Sequence, residues 1–173
     1  MGTKNFLRIS NHHLFNPAAI GLVIGGILLH RDVSWWGVSF QTLIPFGIKH
    51  TLFFLILLLP SLVSSYRMRR HGSILSFLIT YTMLLLFLNH FNFALLRTTL
   101  LDPTVIFFSI VMLPEPMTSP KQLRKQIPYG IFVALMAIVV SSSFLPDGLL
   151  PFLLVGNIVF WASQLRERSM KLE

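Results

Sequence analysis

The sequence predicts an all-α membrane protein of about six transmembrane segments, and three observations carry that prediction. Hydrophobic residues make up 54% of the chain and charged residues 12%, which leaves little polar surface for a water-facing globule. Apolar stretches near spanning length recur from one end to the other. Basic residues collect in alternate links between those stretches. With 173 residues and no soluble segment long enough for a second core, 1–173 is one integral membrane domain.

The apolar segments lie at about 16–29, 44–65, 73–91, 103–114, 127–144 and 147–165. Six crossings place the N-terminus, the second and fourth links and the C-terminus on one side. That side holds Lys4, Arg8, Arg67, Arg69, Arg70, Lys121, Arg124, Lys125, Arg166, Arg168 and Lys171, against Arg31 and Arg97 on the other. The positive-inside rule then makes both termini cytoplasmic. The net charge of +8 is accordingly a topology signal with a share in binding anionic membrane lipids, and nucleic acid is not an expected partner.

The first and fourth segments fall short of the ~20 residues that a spanning helix needs. Treating the first as a re-entrant loop would move Arg67, Arg69 and Arg70 outside and destroy the charge bias. Both are therefore expected to cross, partly as helix and partly unwound. Each opens alike, with Asn16-Pro17 and Asp102-Pro103: a side chain suited to capping free N–H groups, then proline where no N–H is required. Three segments per half with opposite starting sides predict a 3+3 inverted repeat. In that geometry the two helix starts, with Asn16, Asp102 and Thr104, meet near the midplane and offer N–H groups to an electron-rich ligand. The alternative is that both pairs are only surface helix caps.

Pro114 and Pro116 stop the fourth helix and hold Glu115 between them. A carboxylate at a helix C-terminus opposes the dipole, so Lys121, Arg124 and Lys125 are expected to compensate it. Structural pairing and a direct part in moving protons, ions or ligand remain equal readings for Glu115 and for Thr118 in the same turn. Asp147, before the last segment, joins the candidate set as a polar group beside a helix start. Gly21, Gly25 and Gly26 read as close-packing positions.

Other chemistry is sparse. The chain has no cysteine, which removes disulfides and thiolate-bound metal or iron–sulfur clusters. The N-terminus has neither the apolar core and cleavage site of a signal peptide nor a myristoylation pattern. No metal cluster, phosphate-binding glycine loop or Ser-His-Asp set is legible. His50 and His90 flank neighbouring segments, but simple hydrogen bonding outweighs haem ligation, and haem is not expected. Trp35, Trp36 and Trp161 read as interfacial anchors.

The motifs LFNPAAIG (14–21), SFLIT (76–80), MLPEPMTSP (112–120) and FLPDGLLPFLLVGNI (144–158) together resemble the NqrB/RnfD family, membrane subunits of ion-translocating NADH:quinone and ferredoxin:NAD oxidoreductases. The resemblance covers most of the chain. It aligns Asn16-Pro17-Ala18 with the family's Asn-Pro-Ala helix start, Glu115-Pro116-Met117-Thr118 with its Asp/Glu-Pro-x-Thr turn, and Pro146-Asp147-Gly148 with its late Pro-Asp-Gly.

The resemblance implies a non-covalent flavin, FMN or riboflavin, and electron transfer between partner subunits in a bacterial or archaeal inner membrane, with ion translocation as a possible coupled event. The family's Ser-Gly-Ala-Thr-like covalent flavin site has no counterpart, so covalent FMN is not expected. The membrane helices that precede the Asn-Pro element in full-length members are also missing. Association with other membrane and redox subunits, or with itself, follows as an expectation. The competing expectation is a small-solute or ion channel or transporter built on opposed half-helices.

Overall fold

Local chemistry sets the helix starts. Asn16 accepts the Ala18 and Ala19 N–H groups on its Oδ1, at 2.8 and 3.2 Å, and α1 follows as Pro17–Leu29. Asp102 does the same for Thr104 N–H at 2.7 Å, with Pro103 opening the next capped helix. The structure is a computed structural model that describes residues 8–9, 12–13, 15–29, 48–100, 102–139 and 149–169.

The described chain is helical apart from a two-residue pairing of β1 (Arg8–Ile9) with β2 (His12–His13). After α1 come α2 (Ile48–Arg67), α3 (His71–Leu88), α4 (Phe93–Leu100), α5 (Pro103–Phe107), α6 (Leu123–Val139) and α7 (Leu149–Ser169). Helix α4 falls in what the sequence presents as a link. The fourth segment, expected to be partly unwound, is instead continuously helical: α5 passes directly into a π-helical turn, Phe108–Met112, with Leu113 N–H reaching Phe108 O at 2.9 Å, because the wider turn keeps its backbone hydrogen-bonded where extended chain would not. Across the described part of the first segment, α1 likewise runs unbroken. Asp147 and the start of the second segment lie outside the described residues.

Helices α3 and α6 form the most extensive pair, and small residues allow it. A Cβ at Gly130 would stand 2.5 Å from Ser73 O and 2.9 Å from Phe77 N, and one at Gly72 would stand 2.6 Å from Gln126 Oε1. These contacts match residue 72 with 126 and 77 with 130, so the two helices run in parallel. The close-packing glycines are thus Gly72, Gly130 and Gly156, while a Cβ at Gly21 or Gly25 meets nothing within 4 Å. Sequence alone places tight packing at Gly21 and Gly25 of α1, where the structure leaves open space.

Phe77 lies at the centre, stacked on Tyr81 with centroids 5.3 Å apart and tilted against Phe108 at 5.2 Å. Val133, Leu113 and Leu153 complete this core. The outer face of α3 carries Leu75, Ile79, Met83 and Phe87 exposed, while Gly72 and Ser73 are buried. Aliphatic groups and Phe87 cover the outer face, while Gly72, Ser73, Phe77 and Tyr81 face inward. Among the described residues, His71–Leu88 is long and apolar enough to cross a membrane, and Ala18–Leu29 and Leu149–Ser163 are shorter apolar helical stretches.

Candidate functional site

The turn after the π-helical segment is closed by its own side chains. Pro114 and Pro116 have no N–H to donate, and Glu115 organises the residues after it. Its carbonyl accepts Thr118 N–H at 3.3 Å, Ser119 N–H at 3.0 Å and Ser119 Oγ at 2.8 Å. Its carboxylate Oε2 accepts the Thr118 hydroxyl at 3.0 Å. Two carbonyls of this turn, Pro116 O and Ser119 O, are bound by the guanidinium of Arg70, the former at 3.0 Å.

Arg70 is aimed there by the end of α2. Arg70 N–H reaches back to Ser65 O at 2.8 Å and Arg69 N–H to Tyr66 O at 3.0 Å, which is the double bond pattern of a Schellman cap. The left-handed position of that cap normally holds glycine, but here it holds Arg69 with φ of 53°. The reversal carries Arg70 inward to 3% exposure. Burial lowers its pKa, yet a guanidinium stays charged in a protein. Its planar fork suits two carbonyls at once.

Gln126, wholly buried on α6, joins the same two segments. Its Nε2 donates to Arg69 O at 2.8 Å and to Lys121 O at 3.1 Å. Arg70 Nε, Ser73 Oγ and Gln126 Oε1 are buried and make no hydrogen bond. One turn further along α6, Tyr129 donates to Asn157 Oδ1 at 2.6 Å and lies in the electrostatic field of both Glu115 and Arg70.

Asn16 reaches this end of the bundle as well. Its Nδ2 contacts Met112 Sδ at 3.6 Å, so the start of α1 packs on the last residue of the π turn. Asn16, Glu115 and Thr118 therefore belong to one end. Asp102 and Thr104 lie together at the other, some ten residues earlier in the helix, about 15 Å away at 1.5 Å per residue. The two capped helix starts do not meet: tertiary packing sets α1 against the finish of the fourth helix instead of its beginning. Asp147 lies outside the described residues.

Arg70, Gln126, Tyr129 and Asn157 are the residues that sequence reasoning missed as a site. Arg70 was absorbed into the topology charge. Tyr129 and Asn157 had a usable signal, since polar groups embedded in apolar runs need partners, whereas Gln126 follows the basic link at 121–125 and carried none. Chemically, the arrangement ties the turn at 114–119 to the end of α2 and the start of α6. No group of three or more His, Cys, Asp or Glu residues suited to a metal occurs among the described residues, and the hydroxyl–carboxylate pair of the cluster, Thr118 with Glu115, is closed within its own turn. No protein-family model matches the chain, and no curated protein or solved structure matches it either.

Proposed function

We propose that this chain is an integral membrane subunit of an electron-transport complex, associated with a non-covalent flavin and passing electrons between partner subunits. One observation carries the reading. Asn16 of LFNPAAIG and Met112 of MLPEPMTSP, 96 positions apart, touch, and the SFLIT helix packs on the same π-helical segment through Phe77 and Phe108. Motifs that suggest the NqrB/RnfD family from sequence thus form one physical unit, as parts of a shared site would.

The membrane part of the reading has separate support. Leu28, Ile79 and Phe87 are exposed at 72%, 59% and 73%, whereas Gln126, Asn157 and Ser73 are exposed at 1% or less. That distribution suits a lipid solvent, in which small residues pack helices and polar groups pair inside. The basic links at 67–71 and 121–125 come together through Arg69, Lys121 and Gln126, as cytoplasmic placement of both requires.

Asn16, Glu115 and Thr118 at the cytoplasmic end are the ligand-facing candidates, with Asp102 and Thr104 as the opposite cap. The test uses the assembled complex extracted in mild detergent. The expected result is a flavin spectrum that bleaches on reduction and weakens in Asn16→Ser and Glu115→Gln, which keep hydrogen-bonding oxygens in place. A colourless complex that carries a small solute or ion across liposomes would overturn the redox reading in favour of a transporter.

A further inference from the structure

Helices α6 and α7 touch through Tyr129 and Phe160, with ring centroids 6.0 Å apart and near edge-on, through Tyr129 and Asn157, and through Gly156 against Val133. The matching of 129 with 160 and of 133 with 156 makes the pair antiparallel. Between them runs a groove of about 270 Å³ whose lining includes Lys125, Phe132, Gly156, Val159, Phe160 and Ser163. Its order is polar to apolar: Lys125 and Ser163 stand at one end, Phe132 and Gly156 at the other. Seven residues of α6 separate the ends, about 10 Å of helical rise.

We infer that this groove holds the upper part of one acyl chain of an anionic phospholipid, whose phosphate is bound at the Lys125 end. The inference rests on the membrane part of the proposed function and is independent of the redox part. Size limits the occupant first. The volume lies just below the ~300 Å³ where small-molecule sites begin, enough for the upper part of one acyl chain and too small for a whole lipid. A length of about 10 Å is two-thirds of one leaflet, since the full hydrocarbon core is ~30 Å thick.

Charge limits the occupant further. Lys125 lines the groove itself, Arg166 is exposed one helical turn beyond Ser163 on α7, and Arg124 is exposed beside Lys125. These basic residues belong to links predicted to be cytoplasmic, where lipid phosphates lie and where basic pockets between helices recognise anionic headgroups. The apolar remainder excludes a soluble anion as the natural occupant, because Phe132, Val159 and Phe160 would gain nothing from it. Val159 is 48% exposed, which leaves the groove open along its side for a chain to enter from the bilayer.

The experiment is native mass spectrometry of the delipidated protein with phosphatidylglycerol, with phosphatidylcholine of the same chains, and with inorganic phosphate. One phosphatidylglycerol should be retained in preference to phosphatidylcholine. Lys125→Gln should lower that preference about fivefold, the scale of one basic residue at an anionic surface. Val159→Trp, or Val159→Met as the milder filling, should weaken both lipids while leaving the unliganded melting temperature unchanged. Equal retention of the two lipids, indifference to both kinds of variant, or retention of inorganic phosphate with equal strength would overturn the inference. Carbonate washing of membranes separates the two failures. A chain released by carbonate defeats the membrane reading, whereas a chain that stays but shows no lipid preference defeats this inference alone.

Discussion

Replacing Gly130 by alanine tests the packing that positions the whole polar cluster. The new Cβ would lie 2.5 Å from the backbone oxygen of Ser73 and 2.9 Å from the backbone nitrogen of Phe77. Neither is the end of a flexible side chain, so α3 and α6 must separate by several tenths of an ångström along their closest contact. Overpacking of this kind costs about 1–3 kcal/mol. Alanine regains about 0.5–1 kcal/mol through its better helix propensity, which leaves a net loss of about 0–2.5 kcal/mol, centred near 1.25 kcal/mol.

At about 2–4 °C per kcal/mol for a chain of this size, the central value gives a Gly130→Ala protein that melts about 2.5–5 °C lower in detergent. Gly21→Ala is the matched control: the same atom is added within a helix, with nothing within 4 Å, and it should stabilise by about 0.4–1 kcal/mol. Opposite signs from one chemical change isolate packing from propensity. A Gly130→Ala protein that melts at or above the parent temperature would refute the close parallel contact of α3 with α6.

The polar cluster yields two further expectations. Arg70→Lys keeps the charge but loses the fork that spans Pro116 O and Ser119 O, at a cost of about 1.5–3 kcal/mol. With no native cysteine to interfere, a Met117→Cys reporter in the exposed part of the turn should react with thiol reagents faster in the Arg70→Lys background, and an unchanged rate would contradict the clamp. Tyr129→Phe removes the only donor to Asn157 Oδ1 seen among the described residues, beside an Nδ2 that already lacks a partner. It should destabilise by about 1–3 kcal/mol, and the double variant Tyr129→Phe/Asn157→Leu should recover part of that by deleting both polar groups. Equal melting temperatures for Tyr129→Phe and the parent would count against the bond.

The helix starts at Asn16-Pro17 and Asp102-Pro103 and the stop at Pro114 were legible because capping and proline chemistry act within a few residues. Apolar run lengths likewise located α2, α3, α6 and α7 to within a few residues of their observed ends. Helix α4 was not legible, since Phe93–Leu100 has the composition of an ordinary link. The π turn was hidden for a related reason: Phe108–Met112 has no residue that forces it, and its geometry depends on the side chains that pack against Phe108 and Met112.

Sequence alone therefore determined the helical class, the apolar character of the segments and the caps, all properties that short stretches carry by themselves. Only tertiary structure decided which glycines touch, because a small residue matters only where another backbone arrives, as Ser73 does at Gly130 and as nothing does at Gly21. It also turned Arg70 from a topology charge into a clamp. The Schellman cap at Arg69 aims that side chain inward, but the carbonyls that receive it lie 46 and 49 positions away. Long-range partners of this kind leave no local trace, and for that reason the Asn16 start met the end of the fourth helix and not its beginning.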